Sequence, residues 1–141
     1  MVLRQSRRDD IRAMHRVRMA VRENPLLSTS ISESDYWRAT ESDGRGWVIE
    51  SEGNIVAFTV GKVTDGNIWA LFVQPGYEGL GFGRELLDTV VNWLWAQGLE
   101  LLWLNTSPNT RAARFYERAG WIKSALPELG ELRYELRRHS A

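Results

Sequence analysis

Three observations predict an α/β (α+β) chain, a single domain built on a mixed, mostly antiparallel sheet with helices on both faces. The apolar run Ile68–Val73, a glycine-rich crossing and an amphipathic stripe follow one another without a break, as a buried strand feeding a crossover helix does. The apolar period is helical in the first forty or so residues, strand-like from Trp47 to Val73 and helical again from Leu86, so helices and strands interleave along one sheet. A length of 141 residues, 43% of them hydrophobic, supports one sizeable core and gives no reason to divide the chain, so residues 1–141 read as one domain.

Taken in order, Val2–Gln5 reads as a short first strand, and Ser6 with Asp9 three residues on predicts a capping box that opens a helix to about Val21. Its apolar positions Ile11, Met14, Val17, Met19 and Val21 are interleaved with Arg8, Arg12, Arg16, Arg18 and Arg22, which read as a solvated basic face. Pro25 disfavours helix at Asn24, so Arg22-Glu23-Asn24-Pro25 predicts a tight turn. Ser32 or Ser34 starts a second helix with Tyr36 and Trp37, closed by Asp43-Gly44-Arg45-Gly46. Trp47–Glu50 and Ile55–Val60 are strand-like around the hairpin signal Ser51-Glu52-Gly53-Asn54, and Asp65-Gly66 turns the chain into the strand from Ile68. Leu86, Leu87, Val90, Val91, Leu94 and Trp95 form one helical stripe capped by Gly98. The right-handed crossover rule then lays Leu101–Asn105 parallel to the strand from Ile68. Asn109–Glu117 reads as a helix capped at Asn109 or nearby and stopped by Gly120, and Trp121–Lys123 and Leu132–Leu136 make two last strands around residues 126–130.

The chemistry is predicted where the parallel strands end, at Val73 and Asn105, because such strands bind ligands at their carboxyl ends. Gly79, Gly81 and Gly83 permit positive φ and close approach of a ligand, and the following helix start offers N–H groups and a positive dipole end to a phosphate. Spacing narrows the choice. A P-loop closes on Lys-Ser or Lys-Thr, where this chain has Arg84-Glu85. A dinucleotide fingerprint places its third glycine further along than Gly83 and an acidic residue at the end of the next strand, which here reads Leu104-Asn105-Thr106.

Glu78-Gly79-Leu80-Gly81-Phe82-Gly83 instead resembles the coenzyme A pyrophosphate loop of the GNAT superfamily of acetyl-CoA-dependent N-acetyltransferases, with Glu78 standing where Gln or Arg is usual. A second segment resembles the same family: Asn109, Ala112, Tyr116, Glu117, Gly120 and Trp121 match its pattern in order. The resemblance spans about residues 1 to 137, the first 45 matching only as helices. It implies a sheet whose parallel pair is splayed at the cofactor cleft. It implies acetyl-CoA as co-substrate, transfer of the acetyl group to a primary amine through a ternary complex, and no metal. The loop from Glu78 to Gly83 would cradle the pyrophosphate, with Arg84 supplying the charge Glu78 lacks. Phe72 and Val73 would hold the pantetheine arm through their backbone and polarise the thioester carbonyl, Asn109 would contact the cofactor or order water, Ala112 would contact the cofactor, and Tyr116 would contact it too and be the general acid. A phenol of pKa about 10 is protonated at neutral pH and can give its proton to a thiolate.

The general base stays open between Glu23, in the turn that forms the acceptor wall in the family, and a water chain. Trp37, Trp69 and Trp103 are candidate acceptor-pocket walls. The acceptor is a small amine, an aminoglycoside or a peptide or protein amine. Two other readings remain: a non-catalytic acyl-CoA sensor, against which Tyr116 argues, and a nucleotide-phosphate enzyme, against which the missing Lys and ribose-binding acid argue.

Composition sets further expectations. A net charge of zero argues against a nucleic-acid partner. The absence of cysteine excludes disulfides and a thiol nucleophile and is compatible with a cytoplasmic location. No apolar run approaches a bilayer-spanning length, so no membrane partner is expected. A sheet-edge homodimer is common in such folds, though no residue here specifies one.

Overall fold

The computed structural model describes residues 1–21, 31–125 and 131–138. The Arg22–Pro25 turn, Glu23 with it, and the 126–130 connection lie outside the described residues. The order of elements is β1 (Val2–Gln5), a 3-10 turn (Arg8–Asp10), α1 (Ile11–Ala20), α2 (Glu33–Trp37), a π turn (Arg38–Ser42), β2 (Gly44–Ser51), β3 (Asn54–Lys62), β4 (Ile68–Val73), α3 (Phe82–Ala96), β5 (Leu101–Thr106), α4 (Arg111–Arg118), β6 (Ile122–Ala125) and β7 (Leu132–Arg137).

The strands form two antiparallel sheets, β1-β2-β3-β4 and β5-β7-β6. They meet between β4 and β5 through one parallel bridge, Asn67 to Trp103. The expected parallel pair is therefore a seam one bridge long, and β4 and β5 form no ladder toward Val73 and Thr106. Three hydrogen bonds pin that seam: Trp103 N–H to the Gly66 carbonyl (3.0 Å), Asn67 Nδ2 to the Trp103 carbonyl (3.3 Å) and the Trp103 indole N–H to the Asp65 carbonyl (3.1 Å).

One core lies under α3, where Leu86, Val90 and Leu94 are fully buried with Leu102, Leu104, Tyr116 and Tyr134. Each such leucine removed from water stabilises the fold by about 1.5 to 3 kcal/mol. The helix ends as expected at Gly98 (φ 94), with Leu99 N–H reaching back to the Leu94 carbonyl at 3.4 Å. The opposite face of the first sheet packs on α1 and α2 through Ile11, Met14, Val17, Tyr36, Val48, Phe58 and Val60.

Several local expectations shift. Ser6 does not cap the first helix; its N–H binds the Gly46 carbonyl (2.8 Å), and the Asp10 carboxylate receives the Arg7 N–H (2.7 Å) instead. Arg4 grips that carboxylate at 2.8 Å and Glu50 at 3.2 Å, tying β1 and β2 to the helix start. α1 stops at Ala20, Met19 is exposed, and Arg18, expected on the solvated face, is buried. Ser32 is the cap of α2, accepting the Asp35 N–H (3.2 Å) while Asp35 accepts the Ser32 N–H (2.8 Å). Gly44-Arg45-Gly46 belongs to β2 rather than to a closing turn, since the helical turn ends at Ser42 and these residues pair with Lys62, Gly61 and Val60 of β3. The β2–β3 hairpin turns through Glu52 (φ 53) and Gly53 (φ 82), the paired positive φ of a type I′ turn. No helix among the described residues is long and apolar enough to cross a membrane.

Candidate active site

The glycine loop leaves β4 at Val73 and enters α3 with Gly81 as its N-cap at φ 87. Gly79 has φ 77, and no atom lies within 4 Å of where a Cβ would stand at either glycine, so the concave side of the loop is open backbone. The helix begins at Phe82, earlier than the three-glycine pattern suggests, so Gly83 is in its first turn. A Cβ there would meet Phe115 and Val73 at 3.6 Å, ordinary van der Waals contact, so this third glycine is not required by space or by backbone conformation. Phe82 is buried and stacks with Tyr77 (6.5 Å, 22°), which anchors the loop, whereas Leu80 at the tip is 61% exposed. The first N–H groups of α3 have no acceptor within the helix and point with the dipole into that open space. An anionic pyrophosphate fits there.

Glu78 organises the loop. One carboxylate oxygen accepts the Gly76 N–H at 2.7 Å and the other lies 3.7 Å from Arg111 Nη1 at the start of α4. Backbone N–H groups, its own and that of Gly76, with Arg111 beyond, hold its carboxyl below the usual range. Arg84, expected to supply the missing positive charge, pairs with Asp88 one turn along α3 (3.1 Å). The cation that the structure brings to the loop is Arg111, which sequence reasoning missed because α4 lies far along the chain.

Phe72 and Val73 lie opposite Phe58 and Ala57 of β3, and their other edge faces the unpaired gap toward β5. Val73 packs under α3 with the first core, and the Phe72 ring turns to the α1 side beside Phe58 (5.7 Å). Across the gap, Thr110 caps α4: its hydroxyl accepts the Ala113 N–H (3.1 Å) and donates to the Ser107 carbonyl (2.9 Å). Asn109 is exposed in the left-handed region (φ 58), so the residue next to it, Thr110, does the capping. Ala112 is half-buried against the core.

Tyr116 is 6% exposed, between Phe115 (5.3 Å) and Trp121 (5.8 Å). Burial pushes its phenol above the ordinary value, so it carries its proton at any working pH. The adjacent Glu117 has a structural partner: the buried Tyr134 hydroxyl donates to it at 2.6 Å, binding α4 to β7. Burial first, and Glu117 second, push the Tyr134 phenol up to about 12. The helix closes at Gly120 (φ 93), with Trp121 N–H on the Tyr116 carbonyl at 3.0 Å.

β4 and β5 carry no carboxylate, and Glu23 lies outside the described residues. The three tryptophans take separate places. Arg8 covers Trp37 (4.5 Å), Trp69 stands in the α1-side core under Arg18 (4.6 Å), and Trp103 holds the seam under Arg133 (4.5 Å).

A helix N-terminus behind a glycine loop, at strand ends that separate past a single bridge, defines an α/β fold with a cradle for a phosphate-bearing ligand. Comparison with known proteins narrows it. The sequence model described as "Acetyltransferase (GNAT) family" matches residues 10–121, and the chain belongs to that family. It is 30% identical over 73 residues to a [ribosomal protein bS18]-alanine N-acetyltransferase of Haemophilus ducreyi, covering 50% of each chain. It is 34% identical over 86 residues to a mycothiol acetyltransferase of Beutenbergia cavernae, covering 57% of this chain and 29% of that one. The matches thus span half or less of those relatives' lengths. The fold is shared nearly end to end with the ribosomal-protein-S18-alanine N-acetyltransferase of Escherichia coli (TM-score 0.80, 19% identity, 99% of this chain and 95% of that one). It is likewise shared with a Thermoplasma acidophilum N-acetyltransferase in complex with coenzyme A (TM-score 0.81, 13% identity, 97% and 98%).

Proposed function

We propose that this chain transfers the acetyl group of acetyl-CoA to a primary amine by direct attack in a ternary complex. The observation that carries the reading is the open αL backbone at Gly79 and Gly81, set at the N-terminus of α3 where β4 and β5 part. The N–H groups of Phe82 and Gly83 bind the pyrophosphate, and the unpaired edge of Phe72 and Val73 takes the amide arm and polarises the thioester carbonyl. A free amine forms the N–C bond as the C–S bond breaks. Tyr116 gives its proton to the departing thiolate, and the second amine proton returns to the phenolate through solvent.

The acceptor ammonium, of pKa about 10.4 for an alkyl amine and about 8 for a peptide N-terminus, has to lose a proton first. Water takes it, or the carboxylate of Glu23. Acceptors with a peptide N-terminal amine head the list, because the Haemophilus relative is named for a ribosomal-protein alanine.

The test pairs binding with turnover. Acetyl-CoA at 100 times its dissociation constant adds about 2.7 kcal/mol, which raises the melting midpoint of a domain this size by roughly 5 to 10 °C. NAD and ATP leave it unchanged, and thiol release follows on adding a peptide with an N-terminal alanine or a small-amine panel. Stabilisation by ATP or NAD but not by CoA would end this reading. Binding without thiol release for any amine would favour an acyl-CoA sensor.

A further inference from the structure

Arg18 is 4% exposed, and no carboxylate among the described residues reaches it. Its guanidinium lies over Trp69 (4.6 Å) and Phe72 (5.0 Å) and donates to the Tyr36 hydroxyl (3.1 Å) and the Trp69 carbonyl (3.3 Å). Arginine only donates, so the Tyr36 hydroxyl accepts from it and has its own proton free for His15 Nδ1 at 3.0 Å. Burying a guanidinium carries a desolvation cost that an apolar side chain of the same length avoids. What an apolar side chain would not provide is a donor for that carbonyl.

The register explains why the carbonyl needs one. Val60 lies opposite Ala70 and Gly61 opposite Ile68, so Trp69 is an extra residue with no partner on β3. As a result Trp69 and Ala70 both face α1, and from there the alternation resumes with Leu71 and Val73 toward α3 and Phe72 toward α1. Loss of the extra residue would exchange those faces along the whole cofactor end of the strand. On the other side of the step, the buried Thr59 hydroxyl donates to the Ala70 carbonyl at 2.7 Å.

We propose that Arg18 is a positioning residue for acetyl transfer: together with Thr59 it holds the Trp69 bulge of β4 and so fixes which faces of Phe72 and Val73 meet the cleft. The proposal rests on the acetyl-CoA reading above.

The test compares Arg18→Met, Arg18→Lys and Thr59→Val with wild type, at a temperature where circular dichroism shows each folded. Methionine fills the same channel without donors. Arg18→Met should raise the KM for acetyl-CoA about tenfold, the scale of one charge-assisted hydrogen bond, and lysine, whose ammonium still donates but lacks the planar fork that reaches both acceptors, should recover part of it. A merely structural role lowers the melting point and the active fraction, hence apparent kcat, with KM unchanged, and that outcome overturns the proposal. Should Arg18→Met not fold, Thr59→Val decides: a raised KM supports the proposal, a wild-type KM overturns it. Failure of wild type to bind acetyl-CoA overturns the underlying reading and the proposal together, and is distinguishable because it involves no variant.

Discussion

Tyr116 is the residue on which enzyme and binding domain part. Its phenol is held above the ordinary value by burial alone, so the proton it would donate under the proposed mechanism is present well past pH 10. Two results follow. The kcat profile should show no alkaline fall through about pH 10, where an unperturbed phenol would begin to titrate. Tyr116→Phe should lower kcat by about 10²- to 10⁴-fold while acetyl-CoA affinity stays within a few-fold, measured by thiol release and by titration. Equal turnover by the variant, with chemistry limiting, removes the phenol from the mechanism. Tyr116, Asn109 and the glycines could be singled out as candidates from the sequence because they stand in fixed local spacing. Arg111, Thr59 and Arg18 act through contacts made across the chain, which no local pattern encodes.

At the scale of an element, the strand, loop and helix from β4 to α3 set the site, and the sequence carried their order. Boundaries moved where a tertiary partner outweighed a local signal. Gly46 takes the Ser6 N–H into the sheet, and α3 starts at Phe82 because Gly81 itself adopts the αL cap. That geometry makes a clean comparison available. Gly81→Ala and Gly53→Ala both place a Cβ at positive φ with nothing within 4 Å, so both should cost about 1 kcal/mol or somewhat more in urea unfolding. Only Gly81→Ala fills the cradle, and only it should weaken acetyl-CoA binding. Equal affinity in the two variants would return the loop to a packing turn.

For the molecule as a whole, alkaline stability reports on the joint between α4 and the second sheet. Tyr116 and Tyr134 are raised in the folded protein above the unfolded value of 10.0, so their contribution is complete below pH 10 and is lost as pH rises through the folded values. Unfolding free energy should fall by about 1.4 kcal/mol per pH unit for each phenol from pH 10 upward, and Tyr134→Phe should flatten that slope while costing about 1 kcal/mol at neutral pH for the lost hydrogen bond to the exposed Glu117. A slope unchanged in Tyr134→Phe would place the alkaline transition elsewhere. The overall architecture was legible because periodicity and glycines report it. The split into two sheets was not, since it depends on where β4 and β5 stop pairing.

That stopping point makes Trp103 a pivot. Its amide, carbonyl and indole all grip the 65–67 turn, while Val73 stands six residues further along β4, a lever arm of about 20 Å at 3.3 Å per residue. A swing of about 5° between the sheets there would move the far end of that gap by roughly 1.7 Å, about a third of the spacing of paired strands. The width of the gap between the two strand ends is thus a magnified image of the packing around one indole at its closed end.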